Sequence, residues 1–274
     1  MALLAELAER DATGERAAIY AELKRLGGVP MVALIFRHLA TLPGALEWTW
    51  GAIGPAWRSG RLQETAWHIA RSVPLTPIAA VSLAALAALD VDCDALHEIH
   101  VVLDAYNRAN PENMLSMLCV IRLLEGRDAT RALDDRAWTP PAAQHPLVPM
   151  VDVSSTTPTI RALLDVVAAP GDVDAPRVVQ SLYRHFLHRP AFLALAVTLL
   201  RQRFDDGSID ASAARLRASM NDAADGLVEA LAAAPAPDSR IRTACERFGS
   251  AVIPQMIVVG RLLEEALPSR RRGD

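Results

Sequence analysis

The sequence predicts an all-α protein, and three observations lead to this fold class. Apolar residues recur with the period of an amphipathic helix through most of the 274 residues, whereas the alternation typical of β-strands is almost absent. Proline, glycine and capping residues stand where the periodic segments begin and end. Hydrophobic residues make up 51% of the chain and charged residues 22%, which is the balance of a globular protein with a substantial core.

The periodic segments predict a series of helices in chain order. They cover residues 14–26, 30–42, 44–58, 61–72, 77–89, 93–109, 111–125, 158–168, 175–189, 191–204, 209–233, 237–248 and 252–266. Prolines mark several predicted starts, where the missing N–H has no partner to lose; these are Pro30, Pro43, Pro176 and Pro190. Asn110 before Pro111 has the pattern of an N-cap followed by a first helical residue, and Gly126 follows the helix that this proline opens.

A proline-rich segment divides the chain into halves of similar size. Four prolines between Trp138 and Asp152 exclude a continuous helix there. We therefore expect a first helical repeat over 1–137, a linker over 138–157 and a second helical repeat over 158–274.

Short matches between the halves favour an internal duplication. Phe36-Arg37-His38 before Pro43 is repeated 147 positions later as Tyr183-Arg184-His185 before Pro190, and Arg122-Leu-Leu-Glu125 recurs 139 positions later as Arg261-Leu-Leu-Glu264. The sequence thus predicts two repeats related by a pseudo-twofold axis.

The first match places two equivalent stripes of side chains on helices 30–42 and 175–189. One stripe consists of Met31, Leu34, Ile35, His38 and Leu39, and the other of Val178, Ser181, Leu182, His185 and Phe186. If the halves pack about the pseudo-twofold, these stripes face each other. The pocket between them is then mostly apolar with few polar groups, which is usual for a small-molecule site.

Composition excludes several classes of function. The formal net charge of −4 gives no footprint for nucleic acid, and the basic tail Arg270-Arg271-Arg272 is typical of a solvated chain end. The apolar run 72–89 is broken by Pro74 and Pro77, which favours buried helices over a membrane span.

Cysteine usage and the amino-terminal residues indicate the compartment. Cys93, Cys119 and Cys245 form no paired framework, which fits a reducing environment. The first ten residues carry acidic side chains early and lack the basic region of a signal peptide. We expect a cytoplasmic protein.

Motifs for bound cofactors and metals are missing from the sequence. It contains no phosphate-binding G-x-G-x-x-G or G-x-x-x-x-G-K loop and no G-x-S-x-G elbow. The pairs His97–His100 and His185–His188 have the spacing of one helical turn. Zinc needs a third protein ligand, and the sequence indicates none for either pair. We interpret these histidines as surface residues and expect no metal and no cofactor.

A few polar side chains are candidates for chemistry. The amide of Asn110 either caps a helix or also orients a water or substrate. Arg37 and Arg184, equivalent in the two halves, either clamp a carboxylate or pair with acids at helix ends. Ser181 and His185 lie four positions apart on one helical face and could share a hydrogen bond, although no orienting acid accompanies them.

Several of these segments together resemble one enzyme family. They are the stretch from Val29 to Leu46 (VPMVALIFRHLATLPGAL), Tyr106-Asn-Arg-Ala-Asn-Pro111, Pro146-Leu-Val-Pro-Met-Val-Asp152, and Ser181-Leu-Tyr followed by Pro190. In order and spacing they resemble the group I 2-haloacid dehalogenases over roughly residues 15–265.

The resemblance implies a fold and a reaction. Members of this family are all-α proteins of two homologous halves, usually dimeric, with the pocket between the halves and without a cofactor. They hydrolyse small 2-haloacids: an aspartate activates a water that attacks C2 and expels halide with inversion. Asn110 matches the asparagine that helps to hold the water, and Ser181 matches the serine before the aspartate.

The chain departs from the family pattern at the residue that matters most. Leu182 stands at the position of the aspartate, and a leucine cannot accept a proton. Met31 and Leu34 stand where the family has pocket aromatics, and Gln63 falls at a family glutamate. Ordinary haloacid hydrolysis therefore conflicts with this sequence.

Two hypotheses follow. In the first, the chain is a hydrolase on small 2-substituted acids, with His185 as the base, Asn110 and Ser181 holding water or substrate, and the binding site formed by Met31, Leu34, Tyr106, Leu182 and Arg184. In the second, it is a non-catalytic relative that binds a small carboxylic acid or apolar ligand, or serves as a structural partner. Under both, the resemblance implies a homodimer.

Overall fold

The computed structural model describes residues 5–126, 129–132, 138–168, 179–249 and 252–269. These residues contain α-helices and short 3-10 turns and no β-strand, so the predicted all-α class is confirmed. The helices are α1 (Gly14–Gly27), α2 (Leu34–Leu39), α3 (Ala45–Arg58), α4 (Arg61–Ser72), α5 (Leu83–Ala87), α6 (Cys93–Leu124), α7 (Pro158–Val167), α8 (Ser181–Phe186), α9 (Pro190–Asp205), α10 (Ser208–Val228), α11 (Arg240–Gly249) and α12 (Val252–Ala266). None of the described helices is both long and apolar enough to cross a membrane.

One prediction about the helices is wrong in a way that affects the site. Residues 93–124 form a single helix through Pro111, so Asn110 is an interior residue and not an N-cap. A proline inside a helix removes one backbone hydrogen bond and costs roughly 3 kcal/mol. Residues 111–121 are all buried, and packing on every side of the helix outweighs that cost. The helix is capped instead by Asp92, whose carboxylate accepts from the amide of Ala95 at 2.8 Å.

Both short helices of the predicted stripes are smaller than expected. The first stripe helix spans Leu34–Leu39, so Met31 precedes it in non-helical chain and does not lie on its face. The second begins at Ser181 in the described part, and Val178 lies outside the described residues. Ile35 and Leu39 are buried on α2, whereas the imidazole of His38 bonds the carbonyl of Ala5.

The core consists of two apolar clusters that exchange helices between the halves. The first cluster combines α1–α4 and the end of α6 with α11 and most of α10 from the second half. The second combines α7–α9, the start of α10 and α12 with α5 and the beginning of α6 from the first half. The long helix α6 therefore runs through both clusters, and each half completes the other.

Residues that lie 147 positions apart in the two halves have similar local structures. These similarities support the predicted duplication, which stays a proposal. Gly60 and Gly207 each precede a helix, α4 and α10, with φ values of 72° and 73°. The carbonyls of Arg37 and Arg184 each accept a backbone hydrogen bond, from Leu7 at 2.9 Å and from Val151 at 3.3 Å.

These two glycines give a matched test of packing. A side chain at positive φ costs roughly 1–2 kcal/mol at either site, but a Cβ on Gly60 would also collide with the ring of Trp138, whereas nothing lies near Gly207. We expect Gly60→Ala to lower the free energy of unfolding by about 1–3 kcal/mol more than Gly207→Ala does. Urea denaturation of both variants measures the difference, and equal losses would show that Trp138 does not pack against α4.

The segment after residue 138 lies against both clusters as an extended strap. Residues 138–152 contain no helix. The carbonyl of Ala142 accepts from Arg108, and the carbonyls of Pro149 and Val151 are bound by His188 and Arg184. The strap thus passes close to α6 and α8, where the predicted site residues lie.

Candidate functional site

The candidate site is built on one face of α6. Tyr106, Asn110 and Asn113 share this face because residues four and three positions apart point the same way on a helix. Tyr106 and Asn110 are partly exposed and Asn113 is buried. The interior position of Asn110 leaves its side-chain amide available, since it caps no helix.

Tyr106 connects α6 to α8. Its hydroxyl is hydrogen-bonded to that of Ser181, and its ring lies 5.7 Å from the imidazole of His185, centroid to centroid. Burial raises the pKa of the Tyr106 phenol to about 12, with the Ser181 hydrogen bond and the charge of Arg184 acting in the opposite direction. Ser181 therefore bonds to Tyr106, whereas the sequence had suggested His185 as its partner.

His185 is a buried, neutral imidazole. Desolvation lowers its pKa to about 4, and the positive charges of His188 and Arg184 act in the same direction. A hydrogen bond with the backbone of Val148 works against this shift, which indicates that the ring donates there. Its Nδ1 is buried and has no hydrogen-bond partner among the described residues. The ring thus donates from Nε2 and holds an unused lone pair on Nδ1.

The pairs His97–His100 and His185–His188 were expected at the surface, but one histidine of each pair is buried. His97 and His188 are exposed, but His100 and His185 are buried, at 6% and 7% exposure. His100 is held by the carbonyl of Pro268. In each pair one imidazole faces the core, and the interpretation as two surface residues is wrong. Within the described ranges, no three His, Cys, Asp or Glu side chains converge on a point where a metal could bind.

Leu182 and Arg184, which also have predicted roles in the site, lie in different surroundings on α8. Leu182 is 1% exposed and belongs to the apolar cluster around Tyr183 and Phe186. Arg184 is partly exposed and donates from Nε to the carbonyl of Val151 at 3.1 Å. Arg37, its equivalent in the first half, pairs with Glu6 at 3.2 Å.

Met31 and Leu34 are partly exposed and lie on the first-half side of α6. Met31 lines a small cavity together with Ala109, Glu112 and Asn113. The volume of this cavity is about 10 Å³, which is room for about one water molecule. Met31 thus lies beside α6, the helix that carries Tyr106, at the next turns of that helix.

Glu112 is a site residue that the sequence analysis missed. It is 1% exposed, and its Oε1 is without a hydrogen-bond partner in the described part of the chain. Burial raises its pKa well above the ordinary value, and the charge of Arg108 opposes this only partly. The side chain fits because residue 27 is glycine: a Cβ there would lie 2.6 Å from Oε2. Glu112 is therefore a buried acid with a raised pKa beside the water-sized cavity.

Gln63 is also fully buried. Its amide donates to the carbonyls of Trp57 at 3.0 Å and Leu26 at 3.4 Å. The indole of Trp57 donates in turn to Ser116 of α6 at 3.0 Å. Gln63 therefore connects α4, on which it lies, to α3 and to the end of α1 by hydrogen bonds.

Known structures share this architecture. A D-2-haloacid dehalogenase in complex with L-LA superposes with a TM-score of 0.63 at 20% identity, covering 95% of this chain and 93% of that one. A mutant D-2-haloacid dehalogenase in complex with D-2-CPA gives a TM-score of 0.61 at 21% identity, covering 95% and 90%. This chain has the D-2-haloacid dehalogenase fold.

A curated relative agrees with that fold. A configuration-inverting 2-haloacid dehalogenase of Alcaligenes xylosoxydans xylosoxydans is 29% identical over 171 residues, which are 60% of this chain. The matched stretch spans 57% of the length of that dehalogenase. No protein-family model matches the chain.

Proposed function

We propose that this chain is a dehalogenase-like hydrolase that binds small 2-substituted carboxylic acids against α6, between α2 and α8. The shared fold and the similarity to an inverting dehalogenase support the scaffold. Asn110 and Ser181 hold water or substrate in this proposal, and Arg184 binds the carboxylate of the acid. Met31, Leu34, Tyr106 and Leu182 form the remaining walls.

The observation that carries the proposal is the unused lone pair of His185. Leu182 cannot accept a proton, but the Nδ1 of His185 is unpartnered within the described residues and lies one helical turn away. With a pKa of about 4, this nitrogen has roughly the basicity of an ordinary carboxylate. It therefore replaces the missing aspartate: water attacks C2, the halide leaves with the electrons of its bond, and the proton of the water passes to Nδ1.

Halide release tests this function directly. Purified protein is incubated with each enantiomer of 2-chloropropionate, and chloride is measured against a blank without protein. We expect release above the blank with at least one enantiomer. The absence of chloride at high protein concentration would contradict the hydrolase proposal.

A second candidate is a non-catalytic binding homologue of the same fold. The buried leucine at position 182, which carries no group that can accept a proton, favours it. It predicts that 2-chloropropionate raises the melting temperature, because a ligand of the native state stabilises it, while no chloride appears. Chloride release by Leu182→Asp alone would then show that only the base was lost.

The organisation of the chain belongs to the same proposal. We propose that 1–137 and 158–274 are duplicated halves joined by a linker over 138–157, and that the protein acts in the cytoplasm as a homodimer without a cofactor. The exchange of the beginning of α6 and of α11 between the two apolar clusters supports the duplication, because the offset of 139 that relates Arg122 to Arg261 places α11 opposite residues 101–110 of α6.

A further inference from the structure

A second, larger cavity lies on the opposite face of α6 from the candidate site. Asp104 and Arg108 line it, one turn apart, and Tyr106 lies halfway round the helix from both. The cavity has a volume of about 580 Å³ and is formed by α4, α6 and α12. This volume is typical of small-molecule sites, which range over about 300–1,000 Å³.

Most charges in this cleft are already neutralised by protein partners. The guanidinium of Arg108 holds both oxygens of Asp104, at 3.1 and 2.9 Å. Arg261 donates to Glu265 at 2.7 Å and to the carbonyls of Ala70 and Val73 at 2.6 and 2.8 Å. These two ion pairs fix the walls and leave little charge for a ligand.

Arg71 is different. Its side chain is exposed and makes no hydrogen bond or ion pair with any residue that the structure describes, although it lines the cleft. One helical turn earlier on α4, Trp67 lines the same cleft. The indole nitrogen of Trp67 is occupied by the carbonyl of Arg108 at 3.2 Å, which fixes the ring. Arg71 thus offers a free cation beside an oriented aromatic surface.

We propose that this cleft binds a monocarboxylate with a flat apolar body, as a site separate from the one on the other face of α6. The carboxylate pairs with the planar guanidinium of Arg71, which matches it with two parallel hydrogen bonds. The body packs on the ring of Trp67. Glu264 also lines the cleft and adds a negative charge there, so a second negative charge on the ligand is disfavoured.

Calorimetric titration with phenylacetate tests the proposal. We expect one binding site per chain, with affinity reduced about tenfold or more in Arg71→Gln, because a hydrogen bond to a charged group is worth about 1.5–3 kcal/mol. Arg71 is exposed, so this variant keeps the fold. Arg10→Gln is the matched control, since Arg10 is also exposed and does not line the cleft. Trp67→Leu, which removes the aromatic surface, weakens binding as well.

Analogues of phenylacetate with a different charge show which chemical class of ligand the cleft binds. Neutral phenylacetamide and the dianion phenylmalonate bind about tenfold more weakly than phenylacetate if the proposal holds. Absence of phenylacetate binding at millimolar concentration, or tighter binding of the cation benzylamine, overturns it. Saturating 2-chloropropionate leaves phenylacetate binding unchanged, and displacement would refute a separate site without affecting the halide-release test.

Discussion

Replacing His185 by asparagine is expected to lower the rate of halide release by about 10²–10⁴-fold, the usual contribution of a general base. Asparagine keeps a polar side chain at this position, but its amide has no nitrogen lone pair that accepts a proton. The reaction then loses the only proposed acceptor for the proton of the attacking water. Initial rates with 2-chloropropionate measure the effect.

His188→Asn is the matched control for this variant. His188 lies two residues beyond the end of α8, is exposed, and bonds the carbonyl of Pro149. We expect its rate to stay within about twofold of the unaltered protein, because it carries no base in the proposal. Equal losses in the two variants would indicate damage to the strap and would argue against His185 as the base.

The pH dependence gives a second signature of His185. Its lowered pKa means that the folded protein keeps this imidazole neutral down to about pH 4. We therefore expect the rate to fall only as the pH drops through this value, whereas an unperturbed histidine would lose activity near pH 6.5. Linkage adds a stability effect of the same sign: the unfolded chain binds the proton first, so stability decreases as the pH falls below about 6.5.

Local sequence signals predicted a helix well where the residues at its ends favour starting or stopping a helix. The expected helix 61–72 is confirmed as Arg61–Ser72, because Gly60 supplies the positive φ that starts it. The Asn110–Pro111 junction failed for the opposite reason. Its local preference for a helix start is outweighed by burial of the whole segment 111–121, which a local pattern does not encode.

For the site, too, the sequence identified individual residues but not the contacts between distant parts of the chain. The sequence named Tyr106, Ser181 and His185, and the structure brings these three side chains together. The hydroxyl partner of Ser181 was not predictable from spacing, because Tyr106 comes from a distant part of the chain. Glu112 gave no signal because a single acid near Arg108 and Asn113 on a helix resembles an ordinary surface residue until the packing of α6 is known.

Glu112→Gln is expected to change how stability depends on pH. Burial raises the pKa of Glu112 well above 4.5 in the folded protein, so the folded state holds a proton that the unfolded state releases. For a group whose pKa rises on folding, its contribution to stability is full below the unfolded pKa and is lost as the pH rises towards the folded pKa. The glutamine keeps the shape and carries no titrating proton.

Relative to Glu112→Gln, the unaltered protein should lose about 1.4 kcal/mol of unfolding free energy per pH unit above pH 4.5, until Glu112 ionises in the folded state. Urea denaturation at several pH values measures the two slopes, and Glu15→Gln, an exposed acid on α1, serves as control with no change in slope. Parallel slopes for Glu112→Gln and the unaltered protein would show that this carboxyl ionises normally. A difference in slope would instead establish a neutral acid beside the cavity of Met31 and Asn113, where it can donate a proton or hydrogen bond to a bound water.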